Sequence, residues 1–212
     1  GEGVLGAPPT RFDIVERAIS APRPPMGRAL SFSDRDDGFA RVTLPFPFDF
    51  LGRTETEVFV STNGFITFDR SGAGALTNRA IPRRNAPNAM IAWFHDDLVL
   101  TGPSSAVTLT VTGRAPRRRA IFAFQGVRRF GGGGVPNGDT ELDALVILDE
   151  GTNEIAVQYG QATSPTAPSG FDASLGWEDA SGARGGSPVG CSPNCGLSDW
   201  PALTEIRYRP RP

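Results

Sequence analysis

Lysine is absent from this chain: all 21 basic side chains among its 212 residues are arginine, set against 23 acidic ones. That absence excludes Schiff-base catalysis, a phosphate-loop lysine, a serine–lysine dyad and a lysine–asparagine isopeptide crosslink, because each needs an amine. Histidine and cysteine are almost as scarce. One histidine, His95, and two cysteines, Cys191 and Cys195, exclude a histidine-rich zinc centre and a four-cysteine site. No apolar run approaches the roughly 18–20 residues of a membrane span. The net charge of −2 exerts no general pull towards nucleic acid or an anionic membrane. Gly1-Glu2-Gly3 does not read as a signal peptide, as expected of an exported chain in its mature form.

What is present reads as all-β. An apolar share of 39% is enough to fill a core, and 26 glycines and 19 prolines imply many turns. Residues 1–29 carry Pro8-Pro9, Pro22 and Pro24-Pro25 around an apolar stretch at 11–20, which fits a strand better than a short helix. From residue 39 the period is two. Leu44, Phe46, Phe48 and Phe50 share a face, and the intervening Pro45 and Pro47 cannot donate to a ladder, so this strand belongs at a sheet edge. Val58–Thr62 and Phe65–Phe68 flank Asn63-Gly64. That pair predicts a two-residue type I′ hairpin placing Phe59 and Ser61 on one face with Ile66 and Phe68, and Val60 opposite Thr67. Val107–Thr112 and Ala120–Phe124 should form a second hairpin, and Leu142–Leu148 with Ile155–Tyr159 a third. Short strands with turn chemistry between them predict an antiparallel sandwich of ten or more strands, with jelly-roll connections one option. The division expected is a proline-rich segment, 1–29, able to add as a strand to a neighbouring subunit, and a single sandwich domain, 30–212.

The order of motifs resembles a secreted bacterial β-sandwich module, similar in its first half to nidogen-type extracellular domains. The residues that carry this resemblance are Val58–Phe68, Ile81-Pro82, Pro87-Asn88, Met90–Leu98, the hairpin Leu145–Tyr159 and Ser174–Gly182. Ala92-Trp93-Phe94-His95 stands where a Pro-Phe-Trp order is more usual. The resemblance spans about residues 36–210. It implies a non-catalytic domain, secreted or at the cell surface, of a kind found beside exported proteases and in surface proteins.

Several clusters invite a chemical reading. Asp34, Asp36 and Asp37 before Gly38 resemble part of a calcium loop, since alternating carboxylates suit a hard cation. Leu44 stands where an EF-hand needs its bidentate glutamate, so the segment reads equally as an acidic turn. Asp96 and Asp97 end an apolar strand, where a buried carboxylate requires a partner or a ligand. Asp139, Glu141 and Asp143 form a third acidic group. Calcium is therefore the one cofactor expectation. His95 beside two aspartates lacks a nucleophile motif and reads as a rim histidine. Arg114, Arg117, Arg118 and Arg119, with Arg128 and Arg129, read as edge-protecting charges rather than a nucleic-acid site. Gly131–Gly134 lacks the lysine and following helix of a phosphate loop and reads as a connector. Cys191 and Cys195 flank a Pro-Asn turn and should form a disulfide in an exported protein. Trp200 and Trp177 are the candidate loop aromatics for a ligand, with core packing the alternative for Trp177.

Together these readings predict a non-catalytic extracellular protein for adhesion, recognition or structural assembly, with an extracellular polymer, glycan or protein as partner. Two sharper forms are a fibre or coat subunit that self-assembles by N-terminal strand addition, and an accessory glycan-binding module of a secreted hydrolase.

Overall fold

The computed structural model describes residues 7–131, 138–163, 171–188 and 191–212. The glycine connector Gly131–Gly134 lies outside these residues except for Gly131. In chain order the strands are β1 (Arg11–Ala18), β2 (Arg28–Ala29), β3 (Phe39–Phe50), β4 (Arg53–Ser61) and β5 (Phe65–Thr67). They continue with β6 (Met90–His95), β7 (Leu98–Val99), β8 (Ala106–Arg114), β9 (Arg117–Arg129) and β10 (Leu142–Asp149). The last four are β11 (Ile155–Tyr159), β12 (Ser174–Glu178), β13 (Gly185–Gly186) and β14 (Thr204–Arg211), with a 3-10 turn at Leu197–Asp199 before β14.

These strands make two antiparallel sheets. The eight-stranded sheet runs β1-β14-β11-β10-β9-β8-β2 with β7 beside β9, and the six-stranded sheet runs β13-β12-β6-β5-β4-β3. The all-β sandwich is thus present. Consecutive strands form meanders, β3 to β6 in one sheet and β8 to β11 in the other, and the chain crosses between the sheets from β2 to β3, β6 to β7, β11 to β12 and β13 to β14.

Alternation explains each layer. Along β3, Ala40, Val42, Leu44, Phe46, Phe48 and Phe50 are buried while their neighbours face outward. Pro45 and Pro47 sit where the β3–β4 pairing shifts register between Thr43 and Phe48, and β3 is the end strand of its sheet, because proline has no N–H for a ladder. Between the sheets lies an aromatic core. Trp93 packs on Phe124 at 4.8 Å, and Trp200 lies 5.0 Å from Tyr159 and 5.1 Å from Phe94. Burial of each such side chain contributes about 1.5–3 kcal/mol. Two polar ends inside this core are satisfied, the Tyr159 hydroxyl donating to the Trp93 carbonyl at 2.7 Å and the Trp200 indole N–H to the Gly160 carbonyl at 2.9 Å, whereas the Trp93 indole N–H is buried without a partner.

The segment at 11–18 is a strand and pairs with β14 of its own chain over eight residues, Arg11 opposite Arg211 through Ala18 opposite Thr204. Phe12 plugs it into the core against Phe50, Trp177 and Tyr208. From β1 the chain must reach β2, at the opposite margin of the same sheet. Six inter-strand spacings amount to about 29 Å, a span that Ile19–Gly27 covers only when nearly fully extended. The prolines at 22, 24 and 25 supply that extension, and the strap crosses the outer sheet face beside Gln125, Asp143 and Leu145.

The Asn63-Gly64 hairpin exists, but its register differs from the two-residue turn. Val60 pairs with Ile66 and Phe59 with Thr67, so three residues, Thr62 to Gly64, form the loop. Among the non-glycine residues with positive φ Asn63 does not appear, whereas Gly64 has φ 80°, the pattern of a type I turn closed by a left-handed glycine. A one-residue slip exchanges faces. Val58, Val60, Ile66 and Phe68 therefore enter the main core, and Phe65 packs on the other side with Met90 and Ala92. The cause is a tertiary contact. Gly64 lies so close to β6 that its carbonyl accepts from both Trp93 N–H (2.9 Å) and Phe94 N–H (3.0 Å), and any Cβ there would overlap the Phe94 carbonyl oxygen. Gly64→Ala should cost about 2 kcal/mol or more through this overlap and the positive φ. Urea denaturation measures it; a midpoint equal to that of the parent would contradict the close approach.

Candidate functional site

The chemistry-bearing residues converge at one corner of the sandwich. Three segments meet there: the loop entering β3, the β4–β5 turn, and the β6–β7 corner. Asn63, fully buried, joins them. Its amide nitrogen donates to Asp37 Oδ1 at 2.9 Å and lies 3.4 Å from the Gly74 carbonyl, while its oxygen accepts from Leu98 N–H at 2.8 Å.

Of the five aspartates expected to hold calcium, the fold gathers three. One carboxylate oxygen from each of Asp36, Asp37 and Asp97 lies within 4.8 Å of the others. Asp34 instead accepts from the Asp36 N–H at 3.1 Å, shaping the loop from outside the triad. Asp96 turns away from Asp97, as adjacent residues at a strand end do. Its carboxyl accepts from the N–H groups of Asp97 (2.8 Å) and Asp172 (3.3 Å), with Arg129 Nε 3.9 Å away. Burial pushes Asp96 up to about 6, against those two hydrogen bonds. Burial also raises Asp36 and Asp97, each reinforced by neighbouring carboxylates. The third acidic group stays apart: Glu141 pairs with Arg128 at 2.6 Å, and Asp143 accepts from Gly126 N–H at 2.7 Å.

Beside this corner, the loop from Asp69 to Ala89 folds back over the outer face of the six-stranded sheet. Ile81 packs on Phe65, Met90 and Ala92, and the Ser174 hydroxyl donates to the Arg79 carbonyl at 2.6 Å. Beneath it lies His95, which the sequence placed on a rim. It is 1% exposed, its ring 4.6 Å from that of Phe65 and tilted to it by 55°, with Nε2 bonded to the Ala75 carbonyl at 3.0 Å. Burial lowers its pKa to about 4. Glu178, which sequence reasoning did not single out, is 1% exposed and accepts from Arg83 N–H, leaving Oε1 buried without a partner. Burial raises it to about 7 despite that bond. The only signal for it was a glutamate at an otherwise inward-facing strand end.

Two other expectations change. Trp177 and Trp200 are 4% and 7% exposed, so both are core residues and neither offers a ring face as a ligand platform. Trp200 follows a loop in sequence, yet it fills the space between Phe94 and Tyr159. Within the arginine turn, Arg118 and Arg119 are held in ion pairs. Arg118 makes a two-pronged contact with Glu150 at 2.8 and 2.7 Å, and Arg119 meets Asp149 at 2.7 Å. Cys191 and Cys195 are joined in a disulfide as expected.

A family model described as NIDO related matches residues 23–200, which contain the corner, the covering loop and the disulfide. The chain belongs to the NIDO-related family. No curated protein and no solved structure matches it. Among the described residues of this NIDO-related domain, no helix is long and apolar enough to cross a membrane. The family and the disulfide fit a domain of extracellular type.

The covering loop of the NIDO-related domain should respond to pH through Glu178, whose neighbours are Arg79, Asp179 and His95. Its folded pKa stands above the model-compound value of 4.5. The folded state therefore binds the proton more tightly, and the associated stability is present at low pH and lost as pH rises through about 7. Glu178→Gln keeps an acceptor for Arg83 N–H and removes the charge. At pH 8.5 the variant should melt about 2–4 °C above the parent, with a flatter dependence between pH 5 and 8. Parallel melting profiles across that range would contradict this role.

Proposed function

We propose that this NIDO-related domain is a non-catalytic extracellular module that works in attachment and assembly, with β1 as the element exchanged between copies. The observation that carries this reading is the way β1 is held. It supplies a complete edge to the sheet, yet it is joined to the remainder by a strap that, among the described residues, makes no hydrogen bond between Ile19 and Met26. The Ile19 N–H bonds to the Leu203 carbonyl at one end, and the Met26 carbonyl accepts from the Thr110 hydroxyl at the other.

The contacts of β1 are self-complementary in kind and reproducible between two copies. Phe12 enters an aromatic pocket, Arg17 grips Glu205 at 2.9 and 3.1 Å, and Asp13 meets Arg211 at 2.8 Å. Exchange keeps every one of them and changes only which chain provides β1, the usual energetic basis of strand donation and domain swapping. The non-catalytic reading is supported by the engagement of the polar groups under the covering loop. His95 Nε2 and the Ser174 hydroxyl, paired across β6 and β12, are both bonded to backbone carbonyls and shielded from solvent.

Light scattering on the purified chain and on a form lacking residues 1–25 tests the proposal: oligomers should be present in the first and lost in the second. A trap separates exchange from other association. Val15 lies opposite Arg207, so oxidised Val15→Cys, Arg207→Cys should give covalent oligomers on a non-reducing gel. Crosslinked monomer alone would overturn the assembly role.

A further inference from the structure

We propose that Asp36, Asp37 and Asp97 form a binding site for a hard divalent cation of the calcium type, built by the corner that Asn63 organises. The site stands apart from strand exchange and would exist in a single copy of the chain.

Three observations carry it. The first is geometry. Three carboxylate oxygens lie within 4.8 Å of one another, a distance two Ca–O bonds of about 2.3–2.6 Å can bridge. The second is the state of two of these carboxyl groups. Asp36 Oδ1 and Asp97 Oδ1 are both closed off from solvent and have no hydrogen-bond partner. A carboxylate oxygen loses several kcal/mol of hydration on such burial, and native proteins leave few of these orphans without an ion or water to satisfy them.

The third is the surrounding charge. Arg35, the cation of the same loop, turns its guanidinium away to the carbonyls of Leu100 (2.6 Å) and Ser105 (2.9 Å). Arg129 approaches Asp96 in preference to the triad. Asn63 donates to Asp37 but brings no charge. Among the three aspartates, Asp97 feels the guanidinium of Arg129, and this attraction is weaker than the repulsion from Asp37 and Asp36; Asp36 has none, although arginine ion pairs are frequent on the sheet surfaces. All the donors are hard oxygens, which suit calcium, and neither imidazole nor thiol is among the three, which disfavours zinc or copper.

The chain supplies only part of a calcium shell of six to eight oxygens, so water completes it on the exposed side, where Asp37 lies. Sites assembled this way belong to the weaker, extracellular range of affinity, about 10⁻⁴ to 10⁻³ M.

The test is calorimetry on the full chain stripped with EDTA. Titration with calcium chloride should give one site per chain, and about 5 mM calcium should raise the melting midpoint by several degrees, reversed by EDTA, with magnesium giving a smaller shift. The variants make the result specific. Asp97→Asn and Asp36→Asn should melt above the parent in EDTA, because each removes one charge from a crowded set of partly buried carboxylates, and below it in calcium. Should one variant fail to fold, the other and the parent titration decide. Absence of both heat and shift in the parent, or an undiminished calcium response in the variants, would overturn the site.

Discussion

The approach of the β4–β5 turn to β6 is the constraint from which most of this structure follows. Gly64 places its carbonyl against two successive N–H groups of β6, at Trp93 and Phe94, and no side chain fits between them. That contact sets the hairpin register, and the register decides that Val58, Val60, Ile66 and Phe68 fill the core. It also delivers Asn63 to the centre of the corner. There a single buried amide replaces what would otherwise be three separate loop anchors, binding the β3 entry loop through Asp37, the covering loop through Gly74 and the β6–β7 corner through Leu98. Backbone proximity in the core and the polar architecture at the surface are one event.

The two outer faces of the sandwich are finished by different physics. On the six-stranded sheet, the loop from Asp69 to Ala89 covers buried polar groups with backbone carbonyls and N–H groups, so His95, Ser174 and Glu178 each find a main-chain partner. On the eight-stranded sheet, a small apolar patch of Ile121, Ala123, Leu145, Ile147 and Ala156 is bordered by charge. Arg17, Glu205, Arg207, Asp149 and Arg119 run as a chain of ion pairs of 2.7–3.1 Å across β1, β14, β10 and β9. Burial alone would raise Glu205, yet hydrogen bonds from Arg17 and Gln158 and the charge of Arg207 hold it at about 2. Exposed pairs are each worth about 1 kcal/mol or less. A connected set with Arg207 mostly buried fixes strand order more than it adds stability. The planar guanidinium suits this linking role, because it reaches several carboxylates at once.

Sequence pattern went furthest where burial is periodic. The alternation of β3, the pairing of β8 with β9 and the family itself were legible because period-two hydrophobicity and turn chemistry are local. The hairpin register was not, since the choice between a two-residue and a three-residue loop at Asn63-Gly64 was made by β6, distant in sequence. The acidic corner was half legible. The aspartate pairs were visible in the chain, but which of them meet depended on the turn that carries Asn63, and Asp96 and Asp97 were separated by their opposite directions at a strand end. Trp200 misled for a similar reason: a loop address in sequence became a core position because the 3-10 turn at Leu197–Asp199 folds the chain inward. Glu178 carried no local mark, as its environment is made by a loop far from it in sequence.

The pairing of β1 with β14 has a mechanical consequence. The two strands run antiparallel with Arg11 opposite Arg211, so the ends of the pair lie side by side at one end of the sheet. Tension applied between them would open the ladder one pair at a time from that end, loading the hydrogen bonds in sequence instead of together. The first large resistance is Phe12, one pair in, lodged among Phe50, Trp177 and Tyr208. Once that ring is withdrawn, the next firm hold is the grip of Arg17 on Glu205 at the far end of the strand. Force along the chain would thus peel β1 away and leave the meanders of both sheets intact.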